Sequence, residues 1–219
     1  MNKNFDYIVV GGGSAGCVLA ARLSENANCQ VMLIEAGGKD RNPLIHIPAG
    51  YIKTMVDPSI NWMFESEAET GTANRRIAIP RGKVLGGSSA INGMLYVRGQ
   101  VDDYNGWAQR GNPGWSYDDV LPYFKKAEHC QAMAAGNKDF DSATHGVGGP
   151  LNVAPVRTGY EALDRVIAAA EKLGWPHNKD YNSGTQDGFS YYQVNQKNGL
   201  RFSAKKAYLQ PNRKRQNLR

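Results

Sequence analysis

An α/β fold that opens on a parallel βαβ unit is the class this 219-residue sequence predicts. Three observations predict it. Phe5-Asp-Tyr-Ile-Val-Val10 is a β-branched, apolar run stopped by glycine, as a buried strand is. Residues 14–26 then carry helical spacing, with apolar Cys17, Val18, Ala21 and Leu23 set among polar Arg22 and Glu25. Gln30-Val-Met-Leu-Ile-Glu35 is a second apolar strand. Strand, glycine turn, helix and strand in this order imply parallel strands joined by a right-handed crossover.

The turn inside that unit carries chemistry. Gly11-Gly-Gly-Ser-Ala-Gly16 fits G-x-G-x-x-G, with glycines at 11, 13 and 16. Gly11 would make the tight turn, Gly13 would let backbone approach a pyrophosphate, and Gly16 would let helix and strand pack closely. The helix entered at Ser14 and Ala15 offers unpaired N–H groups to phosphate. Glu35 ends the second strand, where a carboxylate can accept from a ribose hydroxyl. An adenosine 2′-phosphate is disfavoured there, because Glu35 would repel it. A Rossmann-like dinucleotide site is the expectation. Gly12, Ser14 and Gly16 also fit the G-x-S-x-G elbow of α/β-hydrolases. That elbow normally follows several strands, and it leaves Gly11 and Glu35 unexplained.

Beyond the unit, residues 37–80 are irregular, with prolines at 43, 48, 58 and 80. A loop of this length inside a domain is usually functional. Ser116-Tyr-Asp-Asp119 forms a capping box and opens a helix expected to run to about His129. Gly146–Pro155 reads as a turn and a short strand. Residues 160–173 read as an amphipathic helix with Leu163, Val166, Ile167 and Ala170 on one face, closed by Gly174 and Pro176. Ser203 is expected to cap a short helix ending before Pro211.

Net charge is +6, yet residues 197–219 carry eight basic side chains and no acid, which leaves the rest of the chain slightly acidic. The basic tail reads as a solvated helix-and-loop face rather than a nucleic-acid patch. Cys17, Cys29 and Cys130 form no C-x-x-C pair and read as reduced thiols. No run reaches transmembrane length, and the N-terminus lacks the features of a signal peptide. A cytoplasmic protein is expected, with room for peripheral attachment to the inner membrane.

The most specific segment runs from Arg81 to Gly99. Its Gly86-Gly87-Ser88-Ser89 core puts small residues where a planar ligand could lie against backbone. A tight loop before a short helix does not account for glycines at 82, 86, 87, 93 and 99 together. Gly82-x-x-Leu-Gly-Gly-Ser-Ser-x-x-Asn92, with Tyr96, Gly99 and Asn105 in register, resembles the signature of the glucose–methanol–choline (GMC) family of flavoprotein oxidoreductases. Glu35-Ala-Gly, Asn61-Trp62, His145-Gly-Val-Gly-Gly-Pro-Leu151, Asn198-Gly-Leu-Arg-Phe-Ser203 and Ala207-Tyr-Leu extend the resemblance along the whole chain. Choline-dehydrogenase-like and alkanol-dehydrogenase-like bacterial members look most similar.

The resemblance implies FAD. It places the pyrophosphate on Gly11–Gly16 and the adenosine ribose on Glu35, with Ala36, Arg81 and Gly87 beside them. Val84, Ser88, Asn92, Gly93, Met94 and Leu95 would lie along the ribityl chain and isoalloxazine. Non-covalent attachment is expected, because some relatives bind flavin through a His immediately before the signature Asn, and Ile91 stands there. Residues 1–149 would form the FAD-binding domain, with cofactor-covering loops over 37–100. Residues 150–200 would begin an α+β substrate domain, and 201–219 would return toward the FAD domain.

The implied reaction moves a hydride from a primary alcohol to flavin N5 and gives an aldehyde. Electrons then pass to oxygen or to a quinone or other carrier. The family's catalytic His belongs to a C-terminal half expected beyond Arg219. His46, His129, His145 and His177 do not match it, so no catalytic residue is named here. A naturally short FAD-binding module needing a partner subunit is the alternative. An NAD-dependent dehydrogenase is opposed by the Ser88–Gly93 segment.

Overall fold

A computed structural model describes residues 4–219. Contacts divide the chain into two compact units, one holding the residues up to Met94 together with Asn198–Arg219, the other Leu95–Lys197.

In the first unit, β1 (Tyr7–Val10) and β2 (Val31–Ile34) pair in parallel, with Tyr7 opposite Val31 and Val10 opposite Ile34. Helix α1 (Ser14–Leu23) joins them. Its small buried side of Gly16, Cys17, Ala20 and Ala21 lets it lie close to the strands. Val9, Ala20 and Val31 form the core there, packed by Leu23, Leu33, Leu209 and Leu218. Residues 217–219 run along β2. Val31 N–H donates to Asn217 O (2.8 Å) and Leu33 N–H donates to Arg219 O (2.7 Å). The Asn217 side-chain amide donates to Ser24, Asn26 and Cys29 carbonyls and fastens the turn between α1 and β2.

The long connection after β2 is more ordered than its prolines suggest. Asn42 accepts from Leu44 N–H (3.0 Å) and caps α2 (Pro43–His46). Helix α3 (Tyr51–Thr54) follows, and β3 (Phe64–Glu65) pairs antiparallel with β4 (Ala78–Ile79). Ile45, Ile60, Val84, Ala90 and Ile91 gather in a second apolar cluster. The 3₁₀ turn Gly87–Ala90 sits at its edge of the signature segment. Residues 205–209 form a π-helical turn, and Ser203 Oγ accepts from Lys206 N–H (3.4 Å) at its start.

In the second unit, α4 (Val101–Gln109) begins where Asp103 accepts from Gln100 N–H (2.8 Å). Helix α5 (Tyr117–Ala127) opens on the expected Ser116–Asp119 box. It stops two residues short of His129, because Glu128–Cys130 forms β5, paired in parallel with β6 (Leu151–Pro155). Helices α6 (Gln131–Ala134) and α7 (Glu161–Lys172) follow, and β7 (Gln193–Val194) pairs antiparallel with β6. Helix α7 closes as expected: Gly174 takes φ +88°, and Trp175 N–H donates to Ala170 O (3.0 Å). Ile167 and Ala170 are buried, whereas Leu163 and Val166 are about half exposed.

The domain boundary expected at 149/150 falls inside this second unit. The β5–β6 pairing binds the segments on its two sides into one body.

Candidate functional site

The first unit holds a cleft of about 550 Å³ at the carboxyl ends of β1 and β2. Gly11, Gly13, Ser14, Glu35, Ala36, Arg81, Gly87 and Ser88, all expected from sequence to hold a cofactor, line it together. Local backbone requirements explain how. Gly11 turns the chain out of β1 at φ +98°. A Cβ on Gly16 would stand 1.8 Å from Gly11 O, so only glycine lets α1 start this close to the turn. Gly13 occupies the N-cap position of α1 without a side-chain cap, which leaves the first-turn N–H groups of a ten-residue helix turned outward.

The second glycine segment packs directly onto the first. Gly86 N–H donates to Gly12 O (2.7 Å), and a Cβ on Gly87 would stand 2.6 Å from Gly13 Cα. Ser88 Oγ accepts from Gly82 N–H (3.1 Å) and ties the strip together. The floor of the cleft is therefore backbone from two segments far apart in sequence.

Glu35 is held by backbone. Its Oε2 accepts from Gly12 N–H (2.6 Å) and its Oε1 accepts from Gly37 N–H (2.8 Å). Each carboxylate oxygen retains a lone pair for a hydroxyl donor. Arg81 brings a positive charge to the cleft; its backbone N–H donates to Asn61 Oδ1 (2.9 Å).

Trp62 and Phe64 also line the cleft, and sequence reasoning did not place them in the site. Their rings stack at 5.8 Å and 6°, with Lys83 Nζ 4.8 Å from the Trp62 ring. Both rings stand about half exposed. Asn61-Trp62 was a family match, but nothing in its local spacing points to a ligand.

The remaining expected residues do not line the cleft. Ala15 and Gly16 lie within α1. Val84 is fully buried among Ile45, Ile60, Ala90 and Ile91, so its side chain packs the core. Asn92, Gly93 and Met94 follow that cluster. Asn92 Oδ1 accepts from Met94 N–H (3.0 Å), and Met94 is buried at φ +64°. Leu95 belongs to the second unit, bridged antiparallel to Val194.

The second unit contains a separate buried network. His145 Nδ1 meets Glu128 Oε2 (3.0 Å) and its Nε2 meets Asp180 Oδ2 (2.9 Å). Arg98 Nη2 donates to the same Glu128 oxygen (2.9 Å). Burial alone would lower the His145 pKa, but its bonds to Asp180 and Glu128 outweigh that and raise it to about 11. Two cations then balance two carboxylates inside the fold. Glu128, Cys130 and His145 bring three possible metal-ligand atoms within 4.8 Å of one another. The Arg98 guanidinium already occupies the carboxylate and would repel a cation.

With this geometry in view, the relatives are informative. The family model described as GMC oxidoreductase matches residues 5–219. The oxygen-dependent choline dehydrogenase of Vibrio vulnificus is 42% identical over 224 residues, which cover 100% of this chain and 38% of that protein. The enzyme of the same description from Sinorhizobium fredii is 44% identical over 215 residues, 97% of this chain and 38% of its own length. Among solved structures, pyridoxine 4-oxidase from Mesorbium loti superposes with a TM-score of 0.89 at 37% identity, covering 99% of this chain and 42% of that one. An FAD-dependent oxidoreductase from Chaetomium thermophilum gives 0.85 at 32% identity, covering 99% and 38%. The chain belongs to the GMC oxidoreductase family and is an α/β, Rossmann-like flavoprotein domain of its N-terminal kind. It spans about 38% of the length of the curated relatives it matches. The family and its solved members imply FAD as the cofactor.

Among the described residues, no helix is long and apolar enough to cross a membrane.

Proposed function

We propose that this chain holds FAD in the cleft of its first unit, as part of an oxidoreductase that oxidises primary alcohols to aldehydes. The observation that carries the reading is the meeting of Gly13 and Gly87, which leaves a side-chain-free strip beside an uncapped helix N-terminus and the Glu35 carboxylate. The fit is chemical as well as steric. The α1 N-terminus and Arg81 suit a pyrophosphate, Glu35 suits vicinal ribose hydroxyls, and the Trp62–Phe64 stack offers an aromatic wall to a planar ring.

FAD, when bound, supplies the two-electron acceptor that no amino-acid side chain provides. The chain's own residues bind and orient it. The Gly11–Ser14 turn would hold the phosphates, Glu35 would fix the adenosine end, and Gly87 and Ser88 would meet the cofactor from the second glycine segment. Ile91, buried and without a nucleophilic atom, offers no attachment point where some relatives carry a linking His, and the attachment is taken as non-covalent. The second unit begins the substrate-binding part.

The proton acceptor for the alcohol comes from residues outside these 219. None of the four histidines lines the cleft. His46 Nε2 is 2.9 Å from Asp40 O, His129 accepts from Gly148 N–H, and His145 sits in its ion network. A positioned base contributes roughly 10²–10⁴-fold. Electrons pass on to oxygen or to a quinone-type carrier, in a cytoplasmic protein or one peripherally attached to the inner membrane.

The test combines FAD titration with an assay of primary alcohols, choline included, with and without an artificial acceptor. The full-length protein should show a flavin spectrum bleached by alcohol. The 219-residue chain given excess FAD should give no turnover. Robust turnover by those residues alone would place the base within them and overturn this assignment.

A further inference from the structure

Among the described residues Arg201 is the largest fully buried side chain, at 1% exposure, and the acceptors its guanidinium meets are neutral. It lies in the short strand Leu200–Arg201. Its Nε donates to Ile45 O (2.7 Å), and its Nη1 donates to Ser89 O (3.2 Å) and Asn92 Oδ1 (2.8 Å). Its Nη2 is buried with no partner. A guanidinium buried without a carboxylate is costly, and here burial pushes its pKa down to about 10. A hydrophobic residue of similar volume would fill the space at no such cost.

The three acceptors belong to two separate segments, the end of α2 and the turn that runs from Gly87 through Asn92. The Asn92 oxygen that Arg201 grips is the one that accepts from Met94 N–H and so supports the left-handed backbone at Met94. That conformation is unfavourable for a residue with a Cβ and persists only where the surroundings hold it. The same return segment grips the turn a second time. Ala204 N–H donates to Ser89 Oγ (3.0 Å), and Ser89 Oγ donates to Gly86 O (2.6 Å). Ser88, next along this turn, lines the cleft.

We propose that Arg201 is a positioning residue for the flavin, acting through Ser89 and Asn92 to hold the turn that carries Ser88 in place against the cleft. The inference rests on the FAD reading of the cleft. Arg201 touches no reacting atom. Its fork spans the Ser89 carbonyl and the Asn92 amide oxygen at once, which a lysine ammonium on a flexible stem does not reproduce.

The experiment uses the full-length flavoprotein and compares Arg201→Lys, Asn92→Ala and the double variant. Melting temperature, FAD dissociation constant and the visible spectrum of bound flavin are measured for each. Arg201→Lys is expected to weaken FAD at least tenfold and to shift the flavin absorption bands. Asn92→Ala should do the same, and the double variant should be no worse than the poorer single one, because both act on one contact. A merely structural Arg201 would lower the melting temperature and leave affinity and spectrum at parental values, and that result overturns the proposal. Should Arg201→Lys fail to fold, Asn92→Ala and Ser89→Ala carry the test, and parental affinity and spectrum in both overturn it. A parent that takes up no FAD sinks the reading of the cleft itself. A parent that binds FAD beside an unchanged Arg201→Lys sinks this inference alone.

Discussion

The Cα of Gly13 and the position a Cβ would take on Gly87 lie 2.6 Å apart, so the two glycine-rich segments meet backbone to backbone with no room for a side chain on Gly87. The pair is asymmetric. A Cβ on Gly13 would find its nearest protein atom 3.9 Å away, at Gly87 Cα, in ordinary contact, whereas Gly87 also sits at φ +53°.

That asymmetry separates folding from binding. Gly87→Ala should destabilise the protein by about 1–3 kcal/mol through backbone overlap and strain. Gly13→Ala should melt close to the parent yet lose at least roughly tenfold in FAD affinity, about 1.4 kcal/mol, because its methyl enters the cleft. Thermal melts of the apoprotein alongside FAD titrations check both. Equal melting losses in the two variants would contradict the packing described.

Glu35 holds the turn through two backbone N–H groups and, in the proposed reading, also meets the ribose. Glu35→Gln keeps the volume but puts an NH2 donor in place of one carboxylate oxygen, so either the Gly12 or the Gly37 N–H loses its acceptor. It should weaken FAD by about 1.5–3 kcal/mol through loss of charge-assisted hydrogen bonds. Glu35→Ala should lose that and some stability as well, since Gly12 and Gly37 N–H groups lose their acceptor. Unchanged FAD affinity in Glu35→Gln would remove the ribose assignment.

The His145 network predicts a pH dependence of stability. His145 titrates near 6.5 when unfolded and at about 11 in the fold. The folded state therefore binds more protons between those values. The stabilisation is fully present below pH 6.5, declines as pH rises, and is gone above about 11. Stability should therefore fall as pH rises across that window. Denaturant unfolding from pH 6 to 10 should show it in the parent and lose it in His145→Gln. Parallel profiles would mean that the imidazole is neutral in the fold.

Attachment of the cofactor has a simple readout. With Ile91 before Asn92, acid precipitation of the flavin-loaded protein should release all the yellow colour into the supernatant. Colour kept in the pellet would show a covalent link formed elsewhere in the chain.

What could be seen in advance follows from the range of the interactions. The β1–turn–α1–β2 unit was legible within a few residues of its observed ends, because strand alternation, helical spacing and the backbone demands of Gly11 and Gly16 are all local. The Ser116–Asp119 box and the close of α7 at Gly174 were legible for the same reason. Helix α5 was expected to run past Glu128. Pairing with Leu151, a distant partner, turned that segment into β5 instead.

The sequence by itself determined the Gly11–Gly16 turn, the acid at the end of β2 and the second glycine segment, because each is a short pattern whose residue types are imposed by local backbone geometry. Only the tertiary structure decided that the two glycine segments touch, that Val84 turns into the core while Trp62 and Phe64 face the cleft, and that Arg201 reaches back to Asn92. Those outcomes depend on which distant surfaces exclude water together. Burial and long-range hydrogen bonds of that kind leave no periodicity in the chain that makes them.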